Sequence, residues 1–273
     1  MWTLPKRLQT GLAAGISACE KASRLQESLL LLRAMRAATV PADVITYSSV
    51  ISACQKSGDW QLALHLLFSM PSESILPNTV AFNATIDACA AGVAWPMALQ
   101  LLEVMDSRHV VPDTITYQSL ISSCEEAGEW EFALHLLCWM PTRQCNANVV
   151  GASSAISACE KSSRWEAAVL LLQSMPLLRC EPNAISYNSA IAALERGSHW
   201  YIALCLMREM HDTAVDPDLT TFNAAAGSFE RSERVSELLP LLEERLPARA
   251  LQTLWQRGAR SRGARLMRTA VAG

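Results

Sequence analysis

The sequence has no run of about 18 apolar residues unbroken by charge; a stretch such as Leu29–Leu32 closes at once on Arg33. A helical membrane span is therefore not supported, and no membrane partner is expected. Nine cysteines are present, but no two stand in CxxC spacing and no HxE precedes such a pair, so the usual zinc-site and zinc-deaminase patterns are missing. Glycine (11) and proline (12) are too few in 273 residues for a low-complexity or collagen-like polymer. Acidic residues are wholly absent from 245–273, which carries seven arginines, so the convergent carboxylates of a two-metal nuclease cannot come from this tail.

The remaining composition is that of a folded chain: 51% of residues are hydrophobic and only 18% charged. Residues 1–244 hold 16 Lys and Arg against 26 Asp and Glu, a formal charge of −10. Such a body attracts polyanions poorly by charge alone. Any nucleic-acid binding would lean on a local basic edge or on the arginine-rich end, which could clamp RNA, meet an acidic chain or stay solvated.

The string ISACEKSSRW (156–165) has near copies starting at Ile16, Ile51, Ile86 and Ile121, each 35 residues after the last. A fixed period of this size indicates stacked modules rather than one core. The units are 9–43, 44–78, 79–113, 114–148, 149–183, 184–218 and a decayed 219–253, after a leader 1–8 and before an Arg-rich tail 254–273. Within each unit the opening stretch, as in Val44, Tyr47, Val50, Ile51 and Cys54, has apolar residues at helical spacing. A short turn such as SGD (57–59) follows, where Gly58 supplies a positive φ and Asp59 is placed to cap the next helix.

A tryptophan then opens the second helix at module position 17, as Trp60, Trp95, Trp130, Trp165 and Trp200. It is expected to lock the two helices of its own hairpin. Methionine ends that helix at position 27, from Met35 to Met210, and prolines such as Pro71 and Pro77 stop the chain. Cys19, Cys54, Cys89, Cys124 and Cys159 share one position and read as small buried hydrophobes in a reducing compartment. The expected fold is all-α, an α-solenoid superhelix of stacked hairpins whose first helices line an inner face, because one 35-residue hairpin cannot bury both of its apolar faces. Pro240 and Pro247 mark the last unit as a cap.

Openings such as ITYSSVI (45–51), ITYQSLI (115–121) and ISYNSAI (185–191), a WExAxxLLxxM second helix and a closing PD or PN resemble the pentatricopeptide repeat family over residues 9 to about 245. The tetratricopeptide repeat, of nearly equal length, carries its tryptophan on the first helix and fits less well. The resemblance implies a protein that binds single-stranded RNA one base per module. It implies base reading by the fifth and last residues of a unit: Ser48 with Asn78, Asn83 with Asp113, Gln118 with Asn148, Ser153 with Asn183, and Asn188 with Asp218, with Asn223 lacking a recognisable partner. The family's code then gives a core 5′-A-U-N-A-U-3′, Ser–Asn reading adenine and Asn–Asp uracil. The alternative is that Asp and Asn simply cap helices.

By the same resemblance Ile45, Val80, Ile115, Val150 and Ile185 at position 2 would flank bases, although ordinary interhelix packing explains them equally. Lys21, Lys56, Lys161, Arg196 and Arg231 at position 13 would contact phosphates, and at the end of the first helix they also favour its negative C-terminal pole; Ala91 and Glu126 break that row. The five histidines are scattered, so no active site, metal or cofactor is expected and the protein reads as a non-enzyme. Organellar RNA processing, stabilisation or translation is implied by the family, in a chloroplast or mitochondrion. The N-terminus MWTLPKRLQTG leaves no room for a presequence before the repeats, so targeting is absent or the front is truncated. A protein–protein scaffold, or a fragment of a larger protein with a catalytic domain elsewhere, are the competing readings.

Overall fold

The structure, a computed structural model, describes residues 3–232, with side chains from residue 8 onward. The second helix of the seventh unit, its prolines and the Arg-rich tail lie outside the described residues. Two compact units are present, residues 1–127 with 142–145, and 128–141 with 146–273. The first holds α1 (Thr3–Lys21), α2 (Leu25–Ala37), α3 (Val44–Ser57), α4 (Trp60–Ser69), α5 (Thr79–Ala91), α6 (Trp95–Ser107) and α7 (Thr114–Ala127). The second holds α8 (Trp130–Trp139), α9 (Val149–Lys161), α10 (Trp165–Ser174), α11 (Ala184–Gly197), α12 (Trp200–Asp212) and α13 (Leu219–Arg231). From the second repeat on, each first helix opens at module position 1, and every second helix opens at position 17, as the periodicity predicts. The first helix reaches back to Thr3, so most of the segment set apart as a leader is helical.

Where each second helix ends follows from one residue. Pro71, Pro141 and Pro176 stand at position 28, and there the α-helix stops two residues earlier and gives way to a single 3-10 turn. Proline lacks the N–H that would continue the ladder. Arg36, Asp106 and His211 occupy that position in the other repeats, and α2, α6 and α12 run on. Two left-handed residues then recur in the repeats. Position 15 holds Ser23, Gly58, Val93, Gly128, Ser163 and Ser198, and position 31 holds Thr39, Ser74, His109, Gln144, Arg179 and Ala214. Gly58 takes φ 72° as its type suggests, whereas Val93, a β-branched residue, is held at φ 54°.

The core repeats with the sequence. Ile16, Ile51, Ile86, Ile121, Ile156 and Ile191 are fully buried, as are the six methionines from Met35 to Met210. Cys54, Cys89, Cys124 and Cys159 are buried beside them, and burial pushes the Cys54 thiol up to about 12. These cysteines therefore act as small apolar fillers. Position 10 carries only Ala or Ser in the described repeats, buried at Ala53, Ala88, Ser123, Ala158, Ala193 and Ser228. Small side chains there let first helices lie close together: α1, α3, α5 and α7 pack in sequence in one unit, and α9, α11 and α13 in the other. Each second helix lies on its own first helix, where both belong to one unit, and on the next repeat's.

One expectation is extended and one corrected. The tryptophans are half-buried, and their rings reach forward to the next repeat. Trp60 fills the space that a Cβ on Gly92 would need, Trp165 stacks on His199 at 4.0 Å, Trp200 meets Phe229 at 5.1 Å, and Arg164 lies 5.2 Å over Trp130. Tryptophan thus joins one repeat to the next. Asp59 precedes α4 but makes no side-chain cap; its carboxylate accepts from the Ser57 hydroxyl at 3.0 Å.

Candidate nucleic-acid interface

The first residues of each first helix build the candidate surface, because position 2 points away from the core that position 4 enters. Tyr47, Phe82, Tyr117, Tyr187 and Phe222 at position 4 are buried. Two residues earlier the helix turns its side chains outward: Ile45 is 73% exposed, and Val80, Ile115, Val150 and Ile185 are 56–63% exposed. This row is not interhelix packing. Five β-branched aliphatics are held in water at 35-residue intervals, which costs apolar exposure unless something covers them.

In the first unit these side chains belong to one cleft of about 400 Å³, where Ile45, Val80 and Ile115 stand with Ser48, Asn78, Asn83 and Asp113. Positions 2, 5 and last of consecutive repeats therefore line the same cleft. Glu20 and Asp87 line the same cleft. Burial raises the Asp87 carboxyl above its ordinary range, against the lowering effect of the Ser119 hydroxyl.

The last residue of a repeat does cap the following helix. Asn78 Oδ1 accepts from Ala81 N at 3.0 Å, Asn148 Oδ1 from Gly151 N at 3.0 Å, Asn183 Oδ1 from Ser186 N at 2.9 Å, and Asp43, Asp113 and Asp218 do the same. Capping and pairing with position 5 are not alternatives, because one side chain does both. Asn83 Nδ2 donates to Asp113 Oδ1 at 3.1 Å, Asn188 Nδ2 to both Asp218 oxygens at 3.3 Å, and Ser153 Oγ to Asn183 Oδ1 at 3.5 Å. Ser48 Oγ instead donates to Val44 O at 2.8 Å. Gln118 is half-buried on α7, Asn148 caps α9, and Asn223 is half-buried on α13; position 253, the seventh repeat's last, lies outside the described residues.

Threonine ties the Asn–Asp pairs into networks. Thr116, fully buried, donates its hydroxyl proton to Asn83 Oδ1 at 2.7 Å and accepts from Asp113 N at 3.0 Å. Thr221 bonds Asn188 and Asp218 in the same way. Burial alone would raise the Asp113 carboxyl, but the Thr116 amide, the Asn83 side chain and the Ile115 amide outweigh it and hold it below the usual range. Asp218 is lowered likewise, against burial, by Thr220, Thr221 and Asn188. Both are anionic acceptors at neutral pH.

Position 13 reaches back to the preceding repeat. Lys21, Lys56, Lys161, Arg196 and Arg231 are all exposed. Lys56 Nζ donates to Glu20 O at 2.6 Å, and Arg196 donates to Lys161 O at 3.2 Å and pairs with Glu160 at 3.3 Å. Arg231 lies 3.9 Å from Glu195. These cations meet the negative C-terminal pole of the preceding first helix and the acid beside it. Exposed pairs of this kind are worth about 0–1 kcal/mol. No group of three or more His, Cys, Asp and Glu suited to a metal occurs among the described residues, and none of the described helices is long and apolar enough to cross a membrane.

A family model described as the PPR repeat family matches residues 42–91 and 77–126, and one described as the PPR repeat matches 115–145. None of the curated proteins compared with the chain matches it. Among solved structures, the pentatricopeptide repeat protein PPR10 from maize superposes with a TM-score of 0.73 at 23% identity, over 96% of this chain and 39% of its own. PPR10 in complex with an 18-nt psaJ RNA element gives 0.73 at 20% identity, over 98% and 38%. The PPR domain of Arabidopsis thaliana protein-only RNase P 1 in complex with tRNA gives 0.55 at 14%, over 66% of this chain and 94% of that domain. The chain thus spans well under half of PPR10, and identities this low establish a shared fold.

Proposed function

We propose that this chain, which matches PPR repeat models over residues 42–91, 77–126 and 115–145, binds single-stranded RNA sequence-selectively, one base per repeat, and serves RNA processing, stabilisation or translation in a chloroplast or mitochondrion. The carrying observation is the recurrence of an exposed aliphatic at position 2 beside a polar pair formed by position 5 and the residue that caps the next helix. A base fits such a place physically: its faces lie against two aliphatic side chains while its edge meets the pair. That the similar PPR10 and RNase P 1 domain are solved with bound RNA supports the reading.

Capping supplies the chemistry of discrimination. The cap bond always takes Oδ1, so an asparagine has its NH2 left to offer and an aspartate its second carboxylate oxygen. Uracil and guanine carry a ring N–H on the pairing edge, which suits the aspartate; adenine and cytosine carry a bare ring nitrogen, which suits the asparagine. The pairs Ser48–Asn78 and Ser153–Asn183 then select adenine, and Asn83–Asp113 and Asn188–Asp218 select uracil, each by about 1–3 kcal/mol. The protein carries out no reaction in this scheme; it occupies RNA and thereby shields or exposes it.

Gel shifts with oligonucleotides containing 5′-AUNAU-3′, against the same bases scrambled, test the proposal. Preferential binding of the ordered core is expected, and equal binding overturns base reading. The −10 charge of residues 1–244 favours a second reading, a scaffold for protein partners, which predicts no measurable affinity for either oligonucleotide even at low salt.

A further inference from the structure

We infer that Thr220 is a specificity-determining residue: its hydroxyl engages an amide hydrogen that Asn188 would otherwise turn to a base, so the two Asn–Asp pairs of this chain read RNA unequally. This deepens the base-reading function proposed above and rests on it.

By the two-residue rule Asn83–Asp113 and Asn188–Asp218 are identical, yet their hydrogen bonds differ. Asn83 uses one amide hydrogen, on Asp113 at 3.1 Å, while its oxygen accepts from Thr116 at 2.7 Å. The residue at position 2 of the next repeat is Ile115, which can accept nothing and lines the cleft with Asn83. One Asn83 N–H is left for a ligand.

Asn188 is placed differently. Its Nδ2 donates to the Asp218 carboxylate at 3.3 Å and also to Thr220 Oγ1 at 2.8 Å, and its oxygen accepts from Thr221. Thr220 is the position-2 residue of the seventh repeat, where the second to sixth repeats have Ile or Val and the first has Thr10. Its hydroxyl has a single proton, which goes to Asp218 Oδ1, so toward Asn188 it acts only as an acceptor. That bond fixes which end of the Asn188 amide carries hydrogen and uses the second one. Asp218 Oδ1 is also more heavily engaged than its counterpart, accepting from Thr220 as well as from Thr221 and Asn188. A uracil at this repeat must displace a made hydrogen bond that a uracil at the third repeat does not meet.

The test uses the full chain and single-stranded oligonucleotides 5′-AUNAU-3′ in which the second or the fifth base is varied through U, C, A and G, with affinities read by fluorescence anisotropy. Thr220→Val keeps the shape and removes the acceptor; selectivity for U at the fifth base should rise roughly threefold to tenfold, the worth of one neutral hydrogen bond, with the second base unaffected. Thr220→Ser should leave selectivity at its starting value, and Ile115→Thr should lower it at the second base by a similar factor. Because the readout is a ratio between bases, any general gain from an added apolar surface cancels. The inference is overturned if Thr220→Val and Thr220→Ser give the same selectivity while Asp218→Asn shifts the preferred base. If Asp218→Asn changes no preference either, base reading itself falls, and this inference with it.

Discussion

The third repeat (79–113) and the fifth (149–183) would flank a base with the same residues, Val80 and Ile115 or Val150 and Ile185, but differ in the polar pair between them. The third closes its polar pair with a carboxylate: Asn83 is held by Asp113 and by the Thr116 hydroxyl. The fifth closes it with an amide, and Ser153 reaches Asn183 only at 3.5 Å. Ser186 follows Asn183 as Thr116 follows Asp113, yet its hydroxyl turns back to Asn183 O at 2.8 Å instead of bridging to position 5. The third repeat also carries Asp87 where the fifth has Ser157, and Val93 where the fifth has Ser163 in the same left-handed turn. A fixed scaffold thus carries a rigid, anionic reader in one repeat and a looser, neutral one in another.

Exchanging the readers is the strongest way to break the contrast. Asn83→Ser with Asp113→Asn should convert the third repeat's preference from uracil to adenine, a change of about 1–3 kcal/mol in relative affinity, measured by competition between oligonucleotides differing at the second base of the core. Retained uracil preference would locate recognition elsewhere. Next in size, Thr116→Val leaves Asp113 N–H and Asn83 Oδ1 without their partner and should cost about 1–3 kcal/mol of stability in a urea titration, whereas Ser186→Ala, whose hydroxyl bridges no pair, should cost less. Equal losses would show that the bridge adds nothing to the cap.

The turns offer a smaller effect of opposite sign. Val93→Gly relieves a β-branched side chain from φ 54° and should stabilise by about 1 kcal/mol, while Ser163→Gly should gain less; thermal melts of the two variants compare them. Smallest and most local is the response to acid. An NMR titration should place Asp113 below 3.8 and Asp87 above it, the fifth repeat having no carboxyl at either place. The signs are opposite. Stability from Asp113 is present above its unfolded value of 3.8 and fades as pH falls through the lower folded value. Asp87 costs stability at neutral pH, and that cost disappears as pH falls through its raised folded value.

Much of this architecture was legible in residue order. Period, helix starts and the buried Ile, Cys and Met positions are local facts repeated until they cannot be mistaken, because a hairpin that must stack shows the same apolar faces every 35 residues. The pairing of positions 5 and last came only through the family resemblance, and the exposure of Ile45 or Val80 could not be told from packing, since an isoleucine on a helix face looks the same in either setting. The forward reach of Trp60, the commitment of Lys56 and Arg196 to the preceding helix, and the failure of Asp59 to cap were hidden because each depends on a side chain's direction across a repeat boundary.

Sequence by itself determined that this is a stack of helical hairpins, since helix periodicity, turn residues and proline stops act within a few residues of chain. Tertiary structure alone decided which polar atoms remain to be offered. Thr220 and Ile115 hold the same register position, yet one engages an amide 32 residues away and the other leaves one N–H of its neighbour's amide to a ligand. Hydrogen bonds are exclusive, and which proton is already spent is settled only when the repeats come together.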